Sequence, residues 1–186
     1  MSNKNQSVLA FVQAAIFAGL AIVLSLLPTN IGSSLTISLG MIPLVLISLK
    51  LGLKMGLVSG LIWGLLHFVL GKVYYLGPIQ VVIEYVIAYL FAGFGGLCAK
   101  QFHLSLKKEK VIIWASFLAT FARFFWHFVA GFIYWGEYAP EGWSPVFFSL
   151  VMNGASALLT ALVTAFILVI IYKRYPKLFQ KDYYLN

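Results

Sequence analysis

Six stretches of this chain are apolar over enough consecutive residues to be read as helices in a lipid bilayer, and no soluble fold buries that many. They cover residues 8–27, 35–49, 55–70, 79–98, 111–134 and 146–172. A hydrocarbon core about 30 Å thick takes roughly 20 helical residues. The second and third stretches are short and rich in glycine, so they are expected to be tilted, broken or only partly spanning. None alternates as a barrel strand does. The composition agrees: 62% of residues are hydrophobic and 10% charged, against about 25% charged in ordinary globular chains. A soluble enzyme, a disordered tail and a disulfide-stapled secreted domain are thereby excluded, and the one cysteine, Cys98, has no internal partner for a bridge. The first stretch has only Lys4 ahead of it and Leu26-Leu27-Pro28-Thr29 after it, which is no small-residue cleavage site, so a retained helix is expected.

The charges fix an orientation. With six spans both termini lie on one side, and that side collects eleven of the 13 basic residues: Lys4, Lys50, Lys54, Lys100, Lys107, Lys108, Lys110, Lys173, Arg174, Lys177 and Lys181. Only Lys72 falls on the other side, and Arg123 lies within a span. The positive-inside rule then puts both termini in the cytoplasm. The formal charge of +8 is a topology signal, split among four short inner segments, and does not point to nucleic acid. The expected fold is an all-α integral membrane protein, a single six-helix domain over residues 1–186, with loops 28–34, 71–78 and 135–145 outside.

Ionisable side chains within spans are costly and mark cavities or partners. Glu84 lies in the fourth span, Arg123 and His127 in the fifth, Asn153 in the sixth. At 1.5 Å per helical residue, Glu84 sits about 8 Å below the outer end of its span, and His127, Asn153 and Trp63 about 10 Å below theirs. Arg123 stacks one turn beneath His127. Four spans thus bring polar or amphipathic groups to one level in the outer half of the membrane. For Asn153 alone an ordinary interhelical hydrogen bond is an equal reading; a lone carboxylate such as Glu84 is hard to explain that way. Tyr74, Tyr75, Tyr85, Trp126, Tyr134 and Trp135 surround this level, while Tyr138 and Trp143 read as an interfacial belt. A carboxylate beside aromatic faces suits a small planar organic cation, through charge attraction, cation–π contact and stacking.

The run Arg123-x-x-x-His127-x-x-x-Gly131, then Trp135-Gly136-x-Tyr138-Ala139-Pro140-x-Gly142, then Ser149-Leu150-x-x-Asn153-Gly154, together with Glu84-Tyr85, resembles the thiamin-binding S components of energy-coupling factor vitamin transporters. The resemblance covers nearly the whole chain. It implies an S-component bundle that captures thiamin outside and passes it inward with a transmembrane coupling subunit and two cytoplasmic ATPases, which use the ATP; no cofactor or metal is implied for this chain. It implies that Glu84 faces the thiazolium or aminopyrimidine and that Trp135 and His127 stack on the rings. Tyr85, Asn153 and Tyr74 would bond polar substituents, Arg123 would fill the family's basic position, and Gly131 and Trp63 belong to the pocket. Two departures stand out. The first outer loop holds no aromatic residue where the family can supply a lid tryptophan, and Phe148 stands where a tyrosine is expected.

The first helix carries Ala14-x-x-x-Ala18 and Ala15-x-x-x-Gly19, spacings that let helices approach closely. Spacing alone favours packing within the chain; the resemblance points to docking on the coupling subunit through Ala14 and Ala18. No nucleotide-binding loop is present, since Leu66 and Val73 flank Gly71-Lys72 where glycine and Ser or Thr are required. No metalloprotease or serine-hydrolase motif appears, so an enzyme is not expected. The alternatives are an S component for another vitamin or a proton-coupled carrier acting alone.

Overall fold

The computed structural model describes residues 3–31 and 35–181, with side chains for residues 7–30 and 35–181. The side chain of Lys4 and residues 32–34, between α1 and α2, lie outside the described residues. Helix α1 (Asn3–Ser25) leads to a two-strand hairpin, β1 (Asn30–Ile31) antiparallel to β2 (Leu35–Thr36). Then come α2 (Met41–Leu51), α3 (Leu53–Val69), a composite helix α4 (Pro78–Leu104), α5 (Lys108–Tyr134) and α6 (Pro145–Arg174). A 3₁₀ turn (Pro176–Phe179) follows. Four of these helices, α1, α4, α5 and α6, are long and apolar enough to cross a membrane, and α2 and α3 are shorter apolar helices.

The second apolar stretch is only partly helical. Its first residues, Leu35 and Thr36, pair with β1, and the helix starts at Met41. Hydroxyls on α6 hold this entry: the Thr36 amide donates to Ser156 Oγ at 3.1 Å and the Ser38 amide to Thr160 Oγ1 at 3.0 Å. In an apolar solvent these amides have no water to turn to, so the serine and threonine of α6 satisfy them.

Packing of α3 on α4 explains the glycines. Gly56, Gly60 and Gly64 recur every fourth residue of α3 and so form one face. A Cβ on Gly64 would stand 2.0 Å from the Tyr85 carbonyl oxygen, one on Gly60 2.2 Å from that of Tyr89, and one on Gly93 2.4 Å from the Gly56 carbonyl carbon. The two backbones therefore touch. Without a hydrophobic drive between helices in lipid, this close contact supplies the van der Waals energy of association. Helix α4 is irregular along that face, with a π-helical stretch at Val82–Ile87 and a 3₁₀ stretch at Ala92–Cys98. The π stretch contains Glu84 and Tyr85.

Helices α5 and α6 pack closely where Gly131 meets Ser149 and Asn153, while Ala115 and Ala119 of α5 lie against Gly95 of α4. Helix α6 begins at Pro145, with Ser144 as cap accepting from the Phe147 amide at 3.2 Å. On α1, Ala14 and Ala18 are both 0% exposed and packed within the chain's own core, against α2 and α3. This corrects the expectation that they dock a partner: the accessible stripe lies one residue on, at Ala15 and Gly19, with open space around Gly19.

The glycine contact makes a measurable contrast. Gly64→Ala forces α3 away from α4, an overpacking cost of about 1–3 kcal/mol, and should lower the melting midpoint in detergent by at least about 3 °C. Gly19→Ala, with nothing near its Cβ, should leave the midpoint unchanged or raise it. Equal midpoints for the two variants would show that the α3–α4 backbone contact is not a source of stability.

Candidate functional site

At one end of the bundle, α4, α5 and α6 and the turn after α5 enclose a cavity of about 470 Å³. Its lining includes Glu84, His127, Gly131, Trp135, Phe148 and Asn153, with Tyr74 and Tyr138 at the mouth. A second lobe of about 420 Å³ shares Glu84, His127, Trp135 and Tyr74 and extends to Tyr85, Tyr89 and the hairpin residues Asn30, Leu35 and Thr36. The hairpin between α1 and α2 therefore borders the site through Asn30, Leu35 and Thr36.

Glu84 is buried, and both its oxygens are held. Trp135 Nε1 donates to Oε1 at 2.9 Å, and Gln80 Nε2 donates to Oε2. Gln80, one turn before Glu84 and 0% exposed, also donates to the Tyr74 carbonyl at 3.2 Å and accepts from the Leu76 amide at 3.1 Å. It thus ties the loop between α3 and α4 to the carboxylate. Tyr85 points away from Glu84 around the helix, and its hydroxyl accepts from the Tyr74 amide at 3.0 Å. The Trp135 ring lies between Tyr74, at 4.9 Å, and Tyr138, at 5.6 Å. Tyr138, read from the sequence as part of a belt, is a pocket residue.

Small residues shape the opposite wall. Gly131 leaves room for α6: a Cβ there would stand 2.2 Å from Ser149 Oγ and 3.1 Å from Asn153 Nδ2. Asn153 Nδ2 donates to the Ser149 carbonyl and to Ser149 Oγ, both at 3.1 Å, and Ser149 Oγ donates to the Phe128 carbonyl at 2.8 Å. With its amide nitrogen engaged, the Asn153 oxygen is the group it offers the cavity. His127 lines both lobes, and its Nε2 has no hydrogen-bond partner among the described residues. Its neighbours are rings, Phe124 at 5.6 Å and Tyr89 at 6.2 Å.

Two expected pocket residues stand behind the cavity. Trp63 is fully buried, donates to Ser25 Oγ at 3.1 Å and packs edge-on against Tyr89 at 4.6 Å. Arg123 lines neither lobe. Its guanidinium lies over the rings of Tyr89 (4.4 Å), Trp63 (5.0 Å) and Phe124 (5.1 Å), a cation held by π faces. Depth counting gives a height and no direction around the helix axis, and both residues pack against Tyr89. Tyr89 is itself fixed, its hydroxyl 3.0 Å from His67 Nε2. His67 Nδ1 sits 3.0 Å from the Trp63 carbonyl and must donate there, so Tyr89 donates to Nε2.

Sequence reading missed Gln80, Ser149 and Met152 as well as Tyr138. Gln80 was visible as a polar residue four before Glu84. Ser149 stood four before Asn153, where a hydroxyl carries no distinctive signal. No group of three or more metal-ligating residues occurs among the described residues. The site offers one carboxylate, one asparagine oxygen, one imidazole and a frame of aromatic rings, without a nucleophile placed beside a base.

The comparisons with known proteins agree with this architecture. The family model described as "Thiamine transporter protein (Thia_YuaJ)" matches residues 11–180. A thiamine transporter ThiT of Lacticaseibacillus paracasei is 30% identical over 95% of this chain and 92% of its own. One of Bacillus subtilis is 26% identical over 97% and 98%. A solved structure of ThiT from Listeria monocytogenes is 44% identical, covers 94% of this chain and 98% of its own, and superposes with a TM-score of 0.91. The chain belongs to the thiamine transporter (Thia_YuaJ) family, multi-pass cell-membrane transport proteins and not enzymes.

Proposed function

We propose that this protein binds thiamin from outside the cell as the S component of an energy-coupling factor transporter. The observation that carries the reading is the buried Glu84 carboxylate, held by Gln80 and Trp135 and opening onto an aromatic cavity. An acceptor-only group in a low-dielectric site favours a cation, and an anion would be repelled. Thiamin combines a permanently charged thiazolium with a flat aminopyrimidine. Trp135 and His127 offer faces for stacking, and the oxygen of Asn153 and the hydroxyl of Tyr85 offer partners for amino and hydroxyl substituents. Gly131 keeps the wall open. Arg123 acts from behind Tyr89, fixing the ring wall instead of touching ligand. Phe148 supplies packing but no hydrogen bond, so recognition at that end rests on Asn153 and the backbone.

In this reading the chain is one six-helix domain, with α2 and α3 as the short spans and both termini in the cytoplasm. The site then opens outward and the basic residues face inward. The chain carries no nucleotide-binding loop, so the energy comes from a transmembrane coupling subunit and two cytoplasmic ATPases. The Ala15 and Gly19 face of α1, flanked by the uncovered side chains of Phe11, Val12, Ile16 and Val23, suits docking on the coupling subunit.

Thiamin should quench the tryptophan fluorescence of the purified chain, and flavin, biotin or folate compounds should not compete; absence of both quenching and calorimetric heat would refute thiamin as the ligand. Glu84→Gln should weaken binding about 30-fold, the equivalent of about 2 kcal/mol for a desolvated charge contact. Unchanged affinity would make the carboxylate structural. Gly19→Trp should leave binding intact while abolishing thiamin uptake by cells that carry the ATPases and coupling subunit. Uptake at the parental rate would place the docking face elsewhere.

A further inference from the structure

A second cavity, of about 730 Å³, opens at the opposite end of the bundle. It lies where the elbow between α2 and α3 meets the end of α4 and the segment after the final 3₁₀ turn. Gly52 and Leu53 form one wall, Gly96 to Leu104 another, and Lys181 the third. Lys100, His103 and Lys181 converge on it, and no carboxylate lines it among the described residues.

The placement is built, not incidental. Phe179 is buried and packs on Phe102 and Tyr172, at 5.7 and 5.6 Å, which fastens the C-terminal segment and delivers Lys181 to the cavity. His103 Nε2 lies 3.3 Å from the Lys50 carbonyl, which anchors the imidazole between α4 and the end of α2. The neighbouring Lys108 is engaged elsewhere: its Nζ donates to the carbonyls of Phe102 and His103, at 2.7 and 3.2 Å, closing the end of α4. Gly96 admits the elbow, since a Cβ there would stand 2.5 Å from Leu53 Cα. Like charges gathered in one cavity repel, and an anion relieves them. Leu97 and Leu104, 55% and 74% uncovered, stand beside the basic groups and offer an apolar surface next to the charge.

We propose that this cavity binds the phosphate headgroup of an anionic phospholipid, with Lys100 and Lys181 on the phosphate, His103 beside it, and an acyl chain along Leu97 and Leu104. Basic pockets between membrane helices at the inner face take anionic headgroups in this way. The leucines favour a lipid over a free phosphate, because a soluble anion gains nothing from them. Assignment to the inner leaflet rests on the topology proposed above; the binding chemistry does not.

Native mass spectrometry of the full chain in a nonionic detergent tests this, with phosphatidylglycerol, phosphatidylcholine of the same chains, and sodium phosphate as separate ligands. Phosphatidylglycerol should bind at least tenfold tighter than phosphatidylcholine and resist displacement by millimolar phosphate. Lys100→Ala and Lys181→Ala should each weaken it about fivefold. Lys100→Arg and Lys181→Arg should retain it, and circular dichroism and gel-filtration elution should match the parent for all four variants. If an alanine variant misfolds, Lys→Gln at the same position serves in its place. Equal binding of the two lipids, or full binding after loss of both lysines, overturns the proposal. Binding of phosphate without preference for phosphatidylglycerol also overturns it, since the cavity is then a soluble-anion site.

Discussion

A carboxylate withdrawn from water inside a membrane protein must be given hydrogen-bond donors or it is a liability, and one end of this bundle is arranged around that requirement. Glu84 receives one donor from its own helix, Gln80, and one from the far end of α5, Trp135. The first donor also holds the loop before α4. The second draws an indole ring across the cavity between Tyr74 and Tyr138. Aromatic walls and carboxylate are therefore one structure: the rings stand where they do because the indole nitrogen is needed by the acid. The acceptor capacity of the carboxylate is not exhausted by two donors, since an ionised carboxyl group offers about four lone-pair sites.

The positioning of Glu84 depends in turn on the glycine face of α3. Contact between the α3 and α4 backbones leaves no side-chain layer between them, so α4 is set by main-chain surfaces that cannot change rotamer. The π-helical stretch falls at this contact and includes Glu84. A π turn inserts a residue without breaking the helix, re-aiming the side chains around it, and such turns recur at functional sites. Arg123 supports the same wall from the other side, its charge spread over Tyr89, Trp63 and Phe124 instead of paired with an acid.

The sequence made the lengths of the apolar runs legible, and with them the membrane class and most helix bounds. It did not disclose azimuth. Counting at about 1.5 Å per residue gives height along an axis, and two helices at one height can still face apart; this is why Trp63 and Arg123, expected in the pocket, line neither lobe and pack against Tyr89. Helix α1 is apolar around its whole circumference, so the stripes Ala14/Ala18 and Ala15/Gly19, about 100° apart, could not be told apart before the packing was known. The four-residue glycine repeat was legible in principle. It was read as a weakness of a short span, and it is a contact surface. The hairpin was hidden because Leu35 and Thr36 continue the apolar run that becomes α2.

The same packing decides where the site can open. Helices α3 and α4 are locked backbone to backbone, and α5 lies against α6 through small side chains, so shearing either pair would forfeit contacts that nothing in lipid replaces. Among the described residues, the β1–β2 hairpin and the loop before α4 are joined to the helices by side-chain bonds. The hairpin and the start of α2 are fastened to α6 by two amide–hydroxyl bonds, and the loop to α4 through one glutamine side chain and one tyrosine hydroxyl. Both border the lobe that contains Tyr85 and Tyr89. Exchange of a few hydrogen bonds at this rim is energetically small beside separation of two glycine-packed helices.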